Sequence, residues 1–300
     1  VAVTRAARLR AITRFILTSA DANRLAAFYV DAFGCRRHAS ARLAGPDFER
    51  LMGVQGGALR VTLTLGERFI ELLQFDQPGC SYPSAESASD LDFQHFALVV
   101  GDMTSAYQHL ARISGWSPIS RDGPVELPPS SGGVTAFKFR DPEGHPLELL
   151  AFPASHRPPQ WDIHSSALCL GIDHSAIGVR DTAASVAFYE SLGFSVTARS
   201  LNVGSEQQRL DDVEEARVEV TGLQLPQPTP HLELLCYRQA ASVRAARPEA
   251  NDVAATRLVF EAASSASAAS LVDPDGHRLV IVPASDRGSS VPTGASRTAC

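Results

Sequence analysis

RDPEGHPLELLAF, residues Arg140 to Phe152, is a turn followed by a strand. Asp-Pro opens the turn and Gly144 closes it, a residue choice that favours tight reversals. The strand beyond is apolar except for Glu148. Side chains alternate faces along a strand, so Glu148 looks one way and its leucine neighbours the other. A shortened echo, VDPDGHRLVIVPA, occupies 272–284, with Val280 where Glu148 stood. A turn and strand that recur with their one charge deleted predict duplicated architecture with unequal chemistry.

The residues before the turn complete a unit. QHFALVV (94–100) predicts a strand, Asp102 caps a helix to about Ile113, and VTAFKFR (134–140) is a strand running into the turn. A first copy starts with ITRFILTS (12–19). A helix follows, capped by Asp21 and ended by Gly34, with Leu25, Phe28, Tyr29, Ala32 and Phe33 on one face. After a strand and Gly-rich loop over about 36–58, a hairpin (59–65, 68–75) turns at Gly66-Glu67. DTAASVAFY (181–189) repeats DANRLAAFY (21–29), and HLELLCY (231–237) closes that third copy. TRLVFEA (256–262) opens a fourth, in which only the Ala/Ser run 263–270 precedes the turn. The order β-α-β-β-β is thus read four times, the last time worn down.

The predicted organisation is a first domain over 10–153 (units at about 10–76 and 92–153) and a linker over 154–170. A second domain follows over 171–284 and a disordered tail over 285–300. Residues 1–10 read as a mobile basic lead-in. The net charge of −6 argues against a nucleic-acid partner. No apolar run reaches the roughly 18 residues of a spanning helix, so no membrane partner is expected. Five scattered cysteines without a CxxC pair fit a reducing cytoplasm, which is the expected location.

Aligning the units exposes two recurring positions. Arg14, His95, His174 and Arg257 share a place in the opening strands, each seven residues before a capping type: Asp21, Asp102, Asp181 and Ser264. Glu71, Glu148, Glu233 and Val280 share a place in the closing strands. An unpaired buried carboxylate is costly, so each Glu requires a cation, a metal or an open cavity. Arg14 can simply pair with Glu71, and Arg257 with Glu233, leaving His95 and His174 as cavity histidines. His145 and His277 read as exposed turn residues. Phe28, Tyr29, Phe188 and Tyr189 read as packing.

The repeated unit, the helix end Phe188-Tyr189…Leu192-Gly193-Phe194 and the DPEGHPLEL turn-strand resemble the vicinal oxygen chelate superfamily. It includes glyoxalase I, bleomycin- and fosfomycin-resistance proteins, methylmalonyl-CoA epimerase and extradiol dioxygenases. The resemblance covers residues 12–284 and implies an α+β fold: tandem βαβββ modules forming cupped, mainly antiparallel sheets, one cup per half. It implies a divalent metal (Fe, Mn, Ni or Zn) in the first cup, held by His95, Glu148 and Glu71. Glu148 or Glu71 would double as the base, and Arg14 would contact substrate. His174, Glu233 and Arg257 are the second-cup candidates. The implied function is a lyase, isomerase or oxygenase acting on a small molecule with adjacent oxygens. Extradiol cleavage is disfavoured, because the strand before the DP turn lacks a histidine. The alternatives are a metal-free small-molecule binder of the resistance type and a non-catalytic homologue. A homodimer is a further expected partner.

Overall fold

The computed structural model describes residues 8–83, 87–162, 165–238, 247–263 and 267–284. The first unit runs β1 (Leu9–Thr18), α1 (Ala22–Phe33), β2 (Arg36–Leu43), α2 (Pro46–Met52), β3 (Ala58–Leu65) and β4 (Arg68–Phe75). The second runs β5 (Gln94–Val100), α3 (Met103–Leu110), short strands β6 (Ser117–Pro118) and β7 (Val125–Glu126), β8 (Thr135–Arg140) and β9 (Pro146–Ala151). The third runs β10 (Cys169–Gly178), α4 (Thr182–Ser191), β11 (Ser195–Val203), α5 (Ser205–Asp211), β12 (Arg217–Gln224) and β13 (His231–Tyr237). Among the described residues the fourth keeps only β14 (Arg257–Ala262), β15 (Ala269–Val272) and β16 (Arg278–Val282). The fold is α+β.

The helix starts are those the sequence predicts. Asp21, Asp102 and Asp181 each accept a hydrogen bond from a first-turn backbone N–H, which satisfies donors a helix leaves open. Gly34 ends α1 in the left-handed region at φ 71°, where a side chain would be strained. Ser264, the tail over 285–300, residues 1–7 of the basic lead-in and His164 lie outside the described residues.

Strand pairing corrects the expectation of one cup per half. One sheet runs β15-β16-β14-β1-β4-β3-β2, and the other runs β11-β12-β13-β10-β5-β9-β8-β6. The first unit therefore shares its sheet with the fourth, and the second with the third. The joins are antiparallel pairs between opening strands, β1 with β14 and β5 with β10. Within every unit the opening and closing strands are parallel neighbours in one register: Ile16 faces Glu71, Ala97 faces Glu148, Ala176 faces Glu233 and Val259 faces Val280. Each first-named residue lies two past the aligned Arg or His. The four-fold alignment is thus a property of the hydrogen-bond ladder.

Alternation sorts the side chains. Phe15, Leu72, Phe96, Leu149, Ile177, Leu234, Phe260 and Ile281 join α1, α3 and α4 in one apolar core shared by both sheets. Phe15 of β1 meets Phe96 of β5 with ring centroids 5.0 Å apart. The opposite faces carry Arg14, Glu71, His95 and Glu148.

A second set of bonds ties units that are consecutive in sequence. Asp141 of the DPEGH turn accepts from Tyr29 Oη on α1 (3.1 Å) and from the backbone of Glu143 and His145. The His145 ring bridges Asp141 (2.9 Å) and the Thr18 carbonyl (3.0 Å). The later turn repeats this latch: Asp273 accepts from Tyr189 Oη (3.0 Å), and His277 reaches the Gly178 carbonyl (2.7 Å). His145 and His277 are therefore buried, which corrects their reading as exposed. Both turns fold under a helix of the preceding unit. Tyr29→Phe, which removes a buried bond to a carboxylate, is expected to cost about 1.5–3 kcal/mol. Urea unfolding measures this, and an unchanged midpoint would deny the latch a role in stability.

Candidate metal centre

The two cups differ in content. In the cup of the first and fourth units, Ile16, Leu73, Val259 and Val280 pack against Phe48, Leu51 and Met52 of α2. Region 36–58, expected as strand and loop, thus includes a helix that fills this cup. Glu71 is buried between Arg14 at 3.2 Å and Arg60 at 3.6 Å. Arg257 is fully buried and donates to Thr18 Oγ1 (3.2 Å) and to the carbonyls of Ala255 (2.9 Å), Met52 (3.0 Å) and Ala250. Burial, with Arg278 nearby, lowers its pKa to about 9.

Three expectations are corrected here. Glu71 lies on a different sheet from His95 and is not brought to it. Arg257 does not reach Glu233. Arg14 faces Glu71 and stays outside the cup that holds His95.

The cup of the second and third units gathers His95, Glu148, His174 and Glu233. His95 Nε2 lies 3.0 Å from Glu148 Oε2. His174 Nε2 lies 3.5 Å from the same oxygen and 3.7 Å from Glu233 Oε2. The donor atoms of His95, Glu148 and His174 all fall within 4.8 Å of one another. Four positions that the sequence split between two halves thus converge, because β5 pairs with β10. They line a cavity of about 410 Å³ whose apolar wall includes Leu127, Leu150, Val218 and Leu235.

Three neighbours escaped the sequence reading. Asp173 Oδ2 lies 3.1 Å from His174 Nδ1, and Asp173 Oδ1 accepts from Trp161 Nε1 at 2.7 Å. Trp161, in the expected linker, is buried here. Simple alternation would send Asp173 and His174 to opposite faces. The register shift between Ile172 and Ser175 is the kind of bulge that re-aims side chains. His231 stands 3.5 Å from Glu233 and 3.7 Å from Asp173. Its spacing of two from Glu233 on one strand was the available signal. Lys138 is buried and lines the same cavity.

The electrostatics are those of a carboxylate-rich pocket. Burial pushes the His95 imidazole below its ordinary value. Burial works to raise Glu148, but hydrogen bonds to His174 and His95 hold it well below the carboxylate range. Burial also opposes charge on His174, yet Glu233, Asp173 and Glu148 keep its pKa well above 6.5. Glu233, pulled down against burial by His174 and His231, falls to about 2. The surrounding carboxylates therefore favour the protonated form of His174. Two imidazole nitrogens and two carboxylate oxygens are a donor set that suits a divalent transition metal.

The chain matches the description Glyoxalase/Bleomycin resistance protein/Dioxygenase superfamily over residues 11–149 and 171–281. It belongs to this superfamily. Among solved structures of the same fold, a glyoxalase I variant from Zea mays aligns with TM-score 0.57 at 16% identity, covering 92% of this chain and 93% of that one. A putative dioxygenase from Bacillus subtilis aligns with TM-score 0.54 at 10% identity, over 93% and 86% of the two chains. At such identities the likeness shows the fold alone. No curated protein matches the sequence. No helix among the described residues is long and apolar enough to cross a membrane. Within the glyoxalase superfamily fold, this chain keeps one cup polar and fills the other.

Proposed function

We infer that the protein is a metal-dependent enzyme of the glyoxalase kind, acting on a small molecule with two adjacent oxygens. The observation that carries this is the convergence of His95, Glu148, His174 and Glu233 on one cavity. These four would hold a divalent ion. When bound, such an ion supplies Lewis acidity to neighbouring substrate oxygens.

The chain's own groups divide the remaining work. Glu148, whose side chain is 7% exposed, is fixed by His95 and His174. Glu233, at 25%, faces the cavity and is the carboxylate placed to take a proton from carbon beside a carbonyl. His231, 3.5 Å away and partly exposed, can pass that proton to solvent. Asp173, held by Trp161, orients the His174 ring through Nδ1, as outer carboxylates do for ligating histidines.

The metal-loaded protein, incubated in D₂O with hemithioacetals and α-hydroxyketones, is expected to exchange the hydrogen next to the carbonyl, read by NMR. No exchange and no turnover across the panel would sink the enzyme reading. A second reading, metal-free binding, is favoured by one feature: the polar cluster closes on itself through the His95–Glu148 and His174–Asp173 contacts.

Metal uptake should be coupled to protons. The raised pKa of His174 stabilises the metal-free fold in full below its ordinary 6.5, and this is lost as pH rises through the raised value. A metal must displace that proton. Zinc affinity is therefore expected to climb about tenfold per pH unit below that value, with about one proton released per ion. Calorimetry in buffers of different ionisation enthalpy counts the protons; zero release would contradict a charged His174.

A further inference from the structure

The cavity has a second polar end. Lys138 on β8 stands directly across from Glu148 on β9, so both side chains leave the sheet on the cup face. Its neighbours Phe137 and Phe139 pack into the core on the other face. Helix α5 brings Gln207 and Asp211 to Lys138. Asp211 is closed off from solvent and accepts from Lys138 Nζ (2.6 Å), Tyr237 Oη (2.7 Å) and Gln207 Nε2 (2.6 Å). Lys138, Gln207 and Tyr237 all line the cavity. Asp211, Glu148 and Glu233 keep the lysine charged against the pull of burial.

Two features leave this arrangement with unused hydrogen-bonding capacity. An ammonium has three N–H donors, and Asp211 takes one. Gln207 is buried, and its Oε1 is a buried acceptor with no partner, which is unfavourable for an amide oxygen. Spare donors on Lys138 and a spare acceptor on Gln207, both side chains held by Asp211, match a group that accepts and donates at once, which a hydroxyl does. A carboxylate would satisfy Lys138 but place negative oxygen against Gln207 Oε1 and Asp211. The charges agree: Glu148, Glu233, Asp173 and Asp211 already outnumber the cations Lys138 and His174 around the cavity.

We propose that Lys138 and Gln207, set by Asp211, form a subsite for a hydroxyl group of the substrate, next to the oxygens held at His95, Glu148, His174 and Glu233. The substrate class is then a small hydroxylated carbonyl compound. Lys138 and Gln207 determine specificity, and Asp211 is a positioning residue. The proposal rests on the metal-enzyme reading, so its test separates the two.

The probes are three hydroxamates, whose paired oxygens chelate the metal: acetohydroxamate, glycolohydroxamate (an added hydroxyl) and oxalomonohydroxamate (an added carboxylate). Calorimetry on the nickel-loaded full chain is expected to show glycolohydroxamate binding about tenfold tighter than acetohydroxamate, and the carboxylate probe no tighter. Lys138→Met and Gln207→Met should each bring that ratio to about one. Gln207→Met leaves Asp211 its bonds to Lys138 and Tyr237, so it remains informative should Lys138→Met not fold. Metal retained and acetohydroxamate bound, with a flat ratio in wild type, overturns the subsite alone. So does a ratio that survives Gln207→Met, or a preference for the carboxylate probe. No metal and no hydroxamate binding overturns both readings.

Discussion

His174→Ala is expected to leave the folded protein unable to retain a transition metal, while Glu71→Gln retains it as wild type does. His174 is the hub of the donor set: its Nε2 faces both Glu148 and Glu233, at 3.5 and 3.7 Å. Its removal takes away a donor and the group that separates two carboxylates. Loss of an outer partner of a ligand lowers metal affinity roughly 10–100-fold, and loss of the donor itself should exceed this. His95→Ala should behave alike, since His95 contributes the remaining imidazole. Glu71 sits on the other sheet between two arginines and has no route to an ion held by His95 and His174. Metal per chain, measured after loading with nickel and dialysis, decides the matter. Metal kept by His174→Ala but lost from Glu71→Gln would reverse the assignment of the cups.

Glu71→Gln should instead appear in stability. Glu71 is the buried anion that Arg14 and Arg60 share, and all three side chains are at most 10% exposed. Arg14 Nε, Arg60 Nε and Arg60 Nη1 are already buried without a hydrogen bond, Nη1 holding only its longer ion pair to Glu71. Neutralising the carboxylate leaves two guanidinium charges facing each other in an apolar cup. Removing one partner of a buried ion pair costs about 3–5 kcal/mol, against about 5–15 kcal/mol for a whole domain. Guanidinium chloride unfolding tests this, with the slope checked for two-state behaviour. A loss below about 1 kcal/mol would place the pair in the class of weak surface bridges. The two variants together then describe one cup built for packing and one for chemistry.

The repeat was legible because the strand ladder preserves it. Arg14, His95, His174 and Arg257 are aligned by sequence offset, and the same residues hold equivalent places relative to Glu71, Glu148, Glu233 and Val280 in the hydrogen-bond register. Caps at Asp21, Asp102 and Asp181 were legible for the same reason: they act within a few residues. Which unit pairs with which was not. That choice lies in the β1–β14 and β5–β10 contacts, between segments far apart in sequence, and no local pattern marks them. Dividing the chain at its Pro-rich middle therefore split the four donors two and two. Lys138 shows a different miss. In VTAFKFR the flanking phenylalanines already demanded the core face, so Lys138 had to enter the cup. His145 and His277 were misread because a Gly-His turn looks exposed until a tyrosine from the preceding unit covers it.

The crossing of the two halves also governs how the molecule assembles. Without its other half, residues 8–162 would present two bare strand edges, β1 and β5, and such edges recruit whatever strand they meet. The intact chain tethers β10 and β14 close by, through residues 152–168. Closure of both sheets thus becomes a unimolecular event at a high effective concentration. The assembled candidate metal cup should then be insensitive to dilution.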